Sequence, residues 1–160
     1  MTDSTESKVL TRGDAVRSVR LMMANVLGTW AIASVLGGGA VWLLRLGPFW
    51  SAVGMQFVNW GLVDLVFAAL GWKQSASVRG APVTDQEMSE AGKLLSFLKV
   101  NHFLNVAYVL VGLILAAWAL ASEGDARLAL AGHGAGVLVQ GGFLLASDIR
   151  NELLLRRALM

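Results

Sequence analysis

Residues 100–122 read VNHFLNVAYVLVGLILAAWALAS, and this stretch decides the fold. It holds no Asp, Glu, Lys or Arg, and its one histidine, His102, is neutral unless protonated. As an α-helix rising about 1.5 Å per residue it is long enough to cross roughly 30 Å of hydrocarbon. Backbone amides in hydrocarbon have no water to bond, so a spanning segment of this kind must be helical. Three more blocks share its character: residues 21–44 are uncharged, 46–72 carry only Asp64, and 128–147 are uncharged apart from His133. The sequence therefore predicts four transmembrane helices, at about 21–44, 49–71, 97–121 and 127–148, within one domain covering 19–160. A polar arm, residues 1–18, precedes them and is expected to be loose or to lie on the membrane surface.

Composition points the same way. The chain is 56% hydrophobic and 15% charged, against about a quarter charged in soluble domains. A net charge of +2 does not indicate nucleic acid, because the basic residues gather beside span ends and not on one aromatic-laced face. The absence of cysteine excludes disulfides and thiolate metal sites, and two histidines are too few for an all-histidine metal site. Ala31-Ile32-Ala33 has the small-x-small form of a signal-peptide cleavage site, but the apolar run continues to Leu44, which favours an uncleaved anchor.

Punctuation between the blocks sets the connectivity. Gly47-Pro48 breaks the chain after the first helix, and Gly124 marks a tight turn within 122–125. The longest connection, 73–83, contains Gly80 and Pro82. Thr84-Asp85-Gln86-Glu87 reads as a capping box, with Thr84 as N-cap and Glu87 three residues in. Helix 3 should therefore start in water near Asp85 and enter the membrane near Phe97. Helix 4 should occupy about 126–149, with a possible extension to Arg157. Short hairpins make helices 1/2 and helices 3/4 antiparallel neighbours in an all-α four-helix bundle.

Eleven lysines and arginines flank the spans on the side of the termini and the middle loop, against Arg45 and Arg127 on the other. By the positive-inside rule both termini face the cytoplasm, and the expected location is a bacterial inner membrane. Glycine supplies close helix contacts. Gly132 and Gly136 form a GxxxG pair, read either as packing inside the monomer or as a helix 4 seam for a homo-oligomer.

Polar groups inside these spans carry the functional information. Asn101, Asn105, Tyr108 and Gly112 fall on one stripe of helix 3, at i, i+4, i+7 and i+11. Gln56, Trp60 and Asp64 form an i+4 ladder on helix 2, and His133, Gln140 and Ser147 repeat every seven residues on helix 4. Asn59 on helix 2 and Asn25 on helix 1 add amides. By helical rise Asp64, Asn105 and Gln140 each lie roughly 10–12 Å from the cytoplasmic end of their spans, so they are expected to meet in one layer. Asn25 and Asn101 should sit nearer the surface and Tyr108 slightly deeper. The candidate binding residues are thus Asn25, Asn59, Asp64, Asn101, His102, Asn105, Tyr108 and Gln140. Asp64 has no lysine or arginine at its depth, so it either carries a proton or is held ionised by amides and water. Two readings stay open: mutual hydrogen bonding that fixes helix register, or a pocket opening to the cytoplasm.

Other chemistry finds little support. His102 and His133 differ in depth by something like 15–20 Å at helical rise, which one haem cannot bridge, so no cofactor is expected. Asp148 with Arg150 reads as an ion pair at the end of helix 4. Trp42, Trp50, Trp72 and Trp118 lie near span ends as interfacial anchors do, while Trp30 and Trp60 lie deeper.

Four segments carry a resemblance: Asn25-x-x-Gly28-x-Trp30-Ala31, Trp60-x-x-Val63-Asp64, Asn101-x-x-Leu104-Asn105-x-x-Tyr108-x-x-Gly112, and Gln140-Gly141-x-Phe143-Leu144-Leu145-x-x-Asp148. Together they resemble an uncharacterised four-span bacterial membrane family. The resemblance covers all four helices and implies a fold and a compartment, not a reaction. It also implies an amide at the position of Asp64 and a carboxylate at that of Asn105 in other members, as if the charge sat on either helix. The expected protein is a small inner-membrane binding or accessory module with a buried polar layer. The alternative is a small-solute or proton-linked transporter working as a dimer or larger oligomer. A membrane enzyme ranks third, because no nucleophile or ligand set is evident; the bilayer is the one partner the sequence defines.

Overall fold

A computed structural model describes residues 3–77 and 85–159. All of the described secondary structure is helical: α1 (Asp3–Leu43), α2 (Pro48–Ser77), α3 (Asp85–Leu120) and α4 (Gly124–Leu159). Within them lie four segments long and apolar enough to cross a membrane: Val16–Leu43, Pro48–Ser75, Ala91–Leu120 and Gly124–Arg157. Their outward faces are what hydrocarbon requires, with Phe103 78%, Leu36 68%, Ile114 63% and Val66 60% exposed on the bundle surface. Such surfaces would aggregate in water, and in a bilayer they meet chains as apolar as themselves.

The helices run further than the apolar blocks. α1 is continuous from Asp3 to Leu43, so residues 3–18 lie in the same helix as the first span. α4 carries on through its charged tail, where Arg156 donates from Nε and Nη2 to Glu152 Oε1 at 2.8 and 2.6 Å, an i,i+4 pair that supports the last turns. Pro48 is the first residue of α2, where its missing N–H costs nothing. Arg45 (φ 49°) and Gly47 (φ 110°) turn the chain between α1 and α2, and Gly124 (φ 58°) opens α4. The capping box of Thr84 and Glu87, with Gly80 and Pro82, lies outside the described residues and side chains.

α1 packs on α2 and α3 on α4, as the short hairpins require, and α4 also touches α1 and α2. Glycines set these approaches. A Cβ on Gly54 would meet the Gly38 carbonyl at 2.6 Å, joining α1 to α2, and one on Gly134 would meet the Gly112 carbonyl at 2.9 Å, joining α3 to α4. Gly132 and Gly136 face α2 within the same chain, against the Phe49 carbonyl and the Gln56 side chain. Two ends of the bundle can be distinguished: a hairpin end, with both short turns, and the end where α2 finishes and α3 begins. At the latter, Val16, Ala91, Leu98 and Leu155 form a buried cluster that ties α1, α3 and α4 together.

One pair of helices keeps its backbones apart. Among the described residues no Cα of α2 comes within 8 Å of one on α3. The bundle is therefore left open along one flank.

Candidate functional site

A cavity of about 510 Å³ occupies the gap between α2 and α3. α2 contributes Trp60, Val63, Asp64 and Phe67, and α3 contributes Phe97, Asn101, Leu104, Asn105 and Tyr108. α4 supplies Ser147 and Asp148, and α1 supplies Ala24 and Leu27. Val63, Phe67, Phe97 and Leu104 are also nearly half exposed, which places the opening along the uncovered flank. The volume falls in the range of small-molecule sites, about 300–1,000 Å³.

Asp64 is the residue the cavity is built around. It is 4% exposed, and its Oδ2 is buried with no hydrogen-bond partner among the described residues. Asp148 lines the same cavity from α4. Asn105, 5% exposed, donates from Nδ2 to Asp148 Oδ2 at 2.8 Å, linking α3 to α4 across the floor. Trp60 and Tyr108 meet edge to face with ring centroids 4.6 Å apart. That contact bridges α2 and α3 on the hairpin side of Asp64, one turn before it on α2.

From about the height of that bridge toward the hairpin end, side chains bond between α1, α2 and α4. Trp30 Nε1 donates to Gln140 Oε1 at 2.6 Å, and Gln140 Nε2 donates to Ser34 Oγ at 3.2 Å. Trp30 stacks on Phe143 at 3.9 Å. Gln56 Nε2 and His133 Nδ1 lie 3.0 Å apart between α2 and α4. With the glycine contacts of the hairpin half, these bonds leave polar groups satisfied and helices close.

Of the eight residues expected at the site, the structure brings Asp64, Asn101, Asn105 and Tyr108 into one cavity. The other four lie elsewhere. Gln140, 1% exposed, does not join Asp64 and Asn105 but bonds to α1, because α4 presents it to Trp30 and Ser34. Asn25 accepts from Trp72 Nε1 at 2.8 Å on the exposed α1–α2 surface, so Trp72 is tied to a polar partner there. His102 pairs through Nδ1 with Glu152 Oε2 at 3.3 Å. Asn59 is exposed, since it sits one residue before Trp60 and points away from the cleft. Asp148 was not among the eight. Its expected pairing with Arg150 is replaced by the bond to Asn105, because residues two apart on a helix point in nearly opposite directions. The same periodicity that groups Asn101, Asn105 and Tyr108 places Asp148 one residue from Ser147, at the end of the seven-residue repeat on helix 4.

No group of three His, Asp or Glu side chains able to hold a metal ion occurs among the described residues. The fold and the cleft define a multi-span helical membrane protein with a polar site inside its apolar bundle. The chain belongs to a family of unknown function, DUF6992, which it matches over residues 26–149. The matched segment includes Trp60, Asp64, Asn105, Tyr108 and Asp148. No curated protein and no solved structure matches the chain.

Proposed function

We propose that this protein is a binding module of the bacterial inner membrane, holding a small amphiphilic molecule in the cleft between α2 and α3. One observation carries the reading: a carboxylate oxygen buried without a partner among the described residues, beside a cavity large enough for a ligand. A structural role alone favours satisfied polar groups, as the Trp30–Gln140–Ser34 set is. The flanking charges support an orientation with both termini in the cytoplasm, which makes the cleft accessible from the cytoplasmic half of the membrane and from its lipid. Closure at the hairpin end favours binding over passage through a single chain.

Native mass spectrometry of the protein released gently from its own membrane tests this reading. A bound small molecule is expected on the wild-type chain and lost from Leu104→Trp, which fills the cavity. Bare protein in both, each at the mass of its own sequence, would return the polar groups to a role in helix register.

A further inference from the structure

Resting on that binding reading, we infer that the cleft is a site for an ammonium ion carrying an apolar body, whose N–H groups are received by Asp64 and Asp148. The requirement comes from the acceptors. Among the described residues, Asp64 Oδ2 is buried and receives no hydrogen bond, and Asp148 receives one, from Asn105. Two carboxylates lining one low-dielectric cavity repel when both are ionised. A ligand placed between them must bring donors and positive charge. A hydroxyl brings a donor without charge, and an anion brings neither.

Among the described residues, His102 neighbours Asp148 but is paired with Glu152. Arg20 and Lys93 line the same cavity but at its outer end. Lys93 is twelve residues before Asn105 on α3, about 18 Å at helical rise. The contact of Ala24 with Gly71 sets the register of α1 against α2 and leaves Arg20 about as far from Asp64. The walls fit the rest of such a ligand. Trp60 and Tyr108 close the inner end of the cleft with aromatic rings, which attract an ammonium through their π faces. Phe67, Phe97 and Leu104 line the way to the lipid flank, where an apolar body would lie. Because no three-residue metal-ligating group occurs among the described residues, the chemistry favours an organic cation over a metal ion.

This chemistry has two sources, a free amphiphilic amine and the headgroup of an aminophospholipid. The test uses the full chain in phosphatidylcholine nanodiscs, with empty discs as the blank for partitioning. Calorimetric titration compares 4-phenylbutylamine with the uncharged 4-phenylbutan-1-ol. Saturable binding of the amine is expected, at least tenfold tighter than the alcohol and weakened at least tenfold by Asp64→Asn. Repeating the titration in discs containing phosphatidylethanolamine separates the sources: competition identifies the lipid headgroup, and unchanged affinity identifies the free amine. Equal binding of amine and alcohol, both lost in Leu104→Trp, would overturn the ammonium inference while leaving the binding reading intact. No saturable binding of either probe would overturn it also and point to a proton shared by the two carboxylates. The native mass measurement would then decide the binding reading separately.

Discussion

A buried polar atom left without a partner costs about 1–3 kcal/mol, so Asp64 Oδ2 should act as a local strain on the empty protein. Replacing Asp64 with Leu is expected to raise stability in detergent by about that amount, read as a higher midpoint in a thermal or SDS unfolding titration. A lower midpoint would mean that Asp64 has a structural partner. Asn105→Ala should do the opposite. It removes the bond to Asp148 and is expected to cost about 0.6–2 kcal/mol, the range for interhelical hydrogen bonds in membranes. At this scale the sequence was informative about which residues are polar at depth, but not about whom they meet. Asp64 and Asn105 do share a cavity, and Gln140 at a similar depth does not, because depth along a helix fixes height in the bundle and says nothing about which neighbour the side chain faces. Asp148 looked like a helix-end residue for a related reason. α4 continues for eleven residues past it, so it lies inside a helix and not at its end.

The four helices were legible as elements because hydrocarbon thickness and uncharged blocks set their number and rough limits. Their extensions were legible in part. The start of helix 3 near Asp85 and the run of helix 4 toward Arg157 were expected. That of α1 toward Asp3 was not, since a helix can leave the membrane and continue in water without any change that hydropathy detects. Glycine positions show which faces are in contact. Gly132 faces the Phe49 carbonyl so closely that a side chain there must push α4 away from α2, whereas nothing lies within 4 Å of a Cβ on Gly142. Gly132→Leu is therefore expected to destabilise by about 1–3 kcal/mol or more, as overpacking does. Gly142→Leu should stay within about 0.5 kcal/mol, as surface changes do. Both are checked by midpoint shifts in the same unfolding titration, and equal effects would show that the register of α4 against α2 differs from that described.

The whole molecule combines a closed half and an open half. Its packing follows from connectivity: two hairpins each bury one helix pair, α4 serves as the common neighbour, and α2 and α3 are left apart. That gap could not be read from the four apolar blocks, because a symmetric bundle with α2 against α3 has the same hydropathy profile. The absence of native cysteine offers a direct probe of this asymmetry. Two interior serines can be changed to cysteine with little change in shape: Ser147, on the wall of the cleft, and Ser34, 2% exposed in the closed half. The measurement is the rate at which each single-cysteine protein reacts in membranes with a water-soluble, cationic methanethiosulfonate. The account predicts fast modification of Ser147→Cys, slowed by an amphiphilic amine, and none of Ser34→Cys on the same timescale. Modification of neither would contradict an accessible cleft, and comparable modification of both would replace the closed-ended site with a path through the bundle.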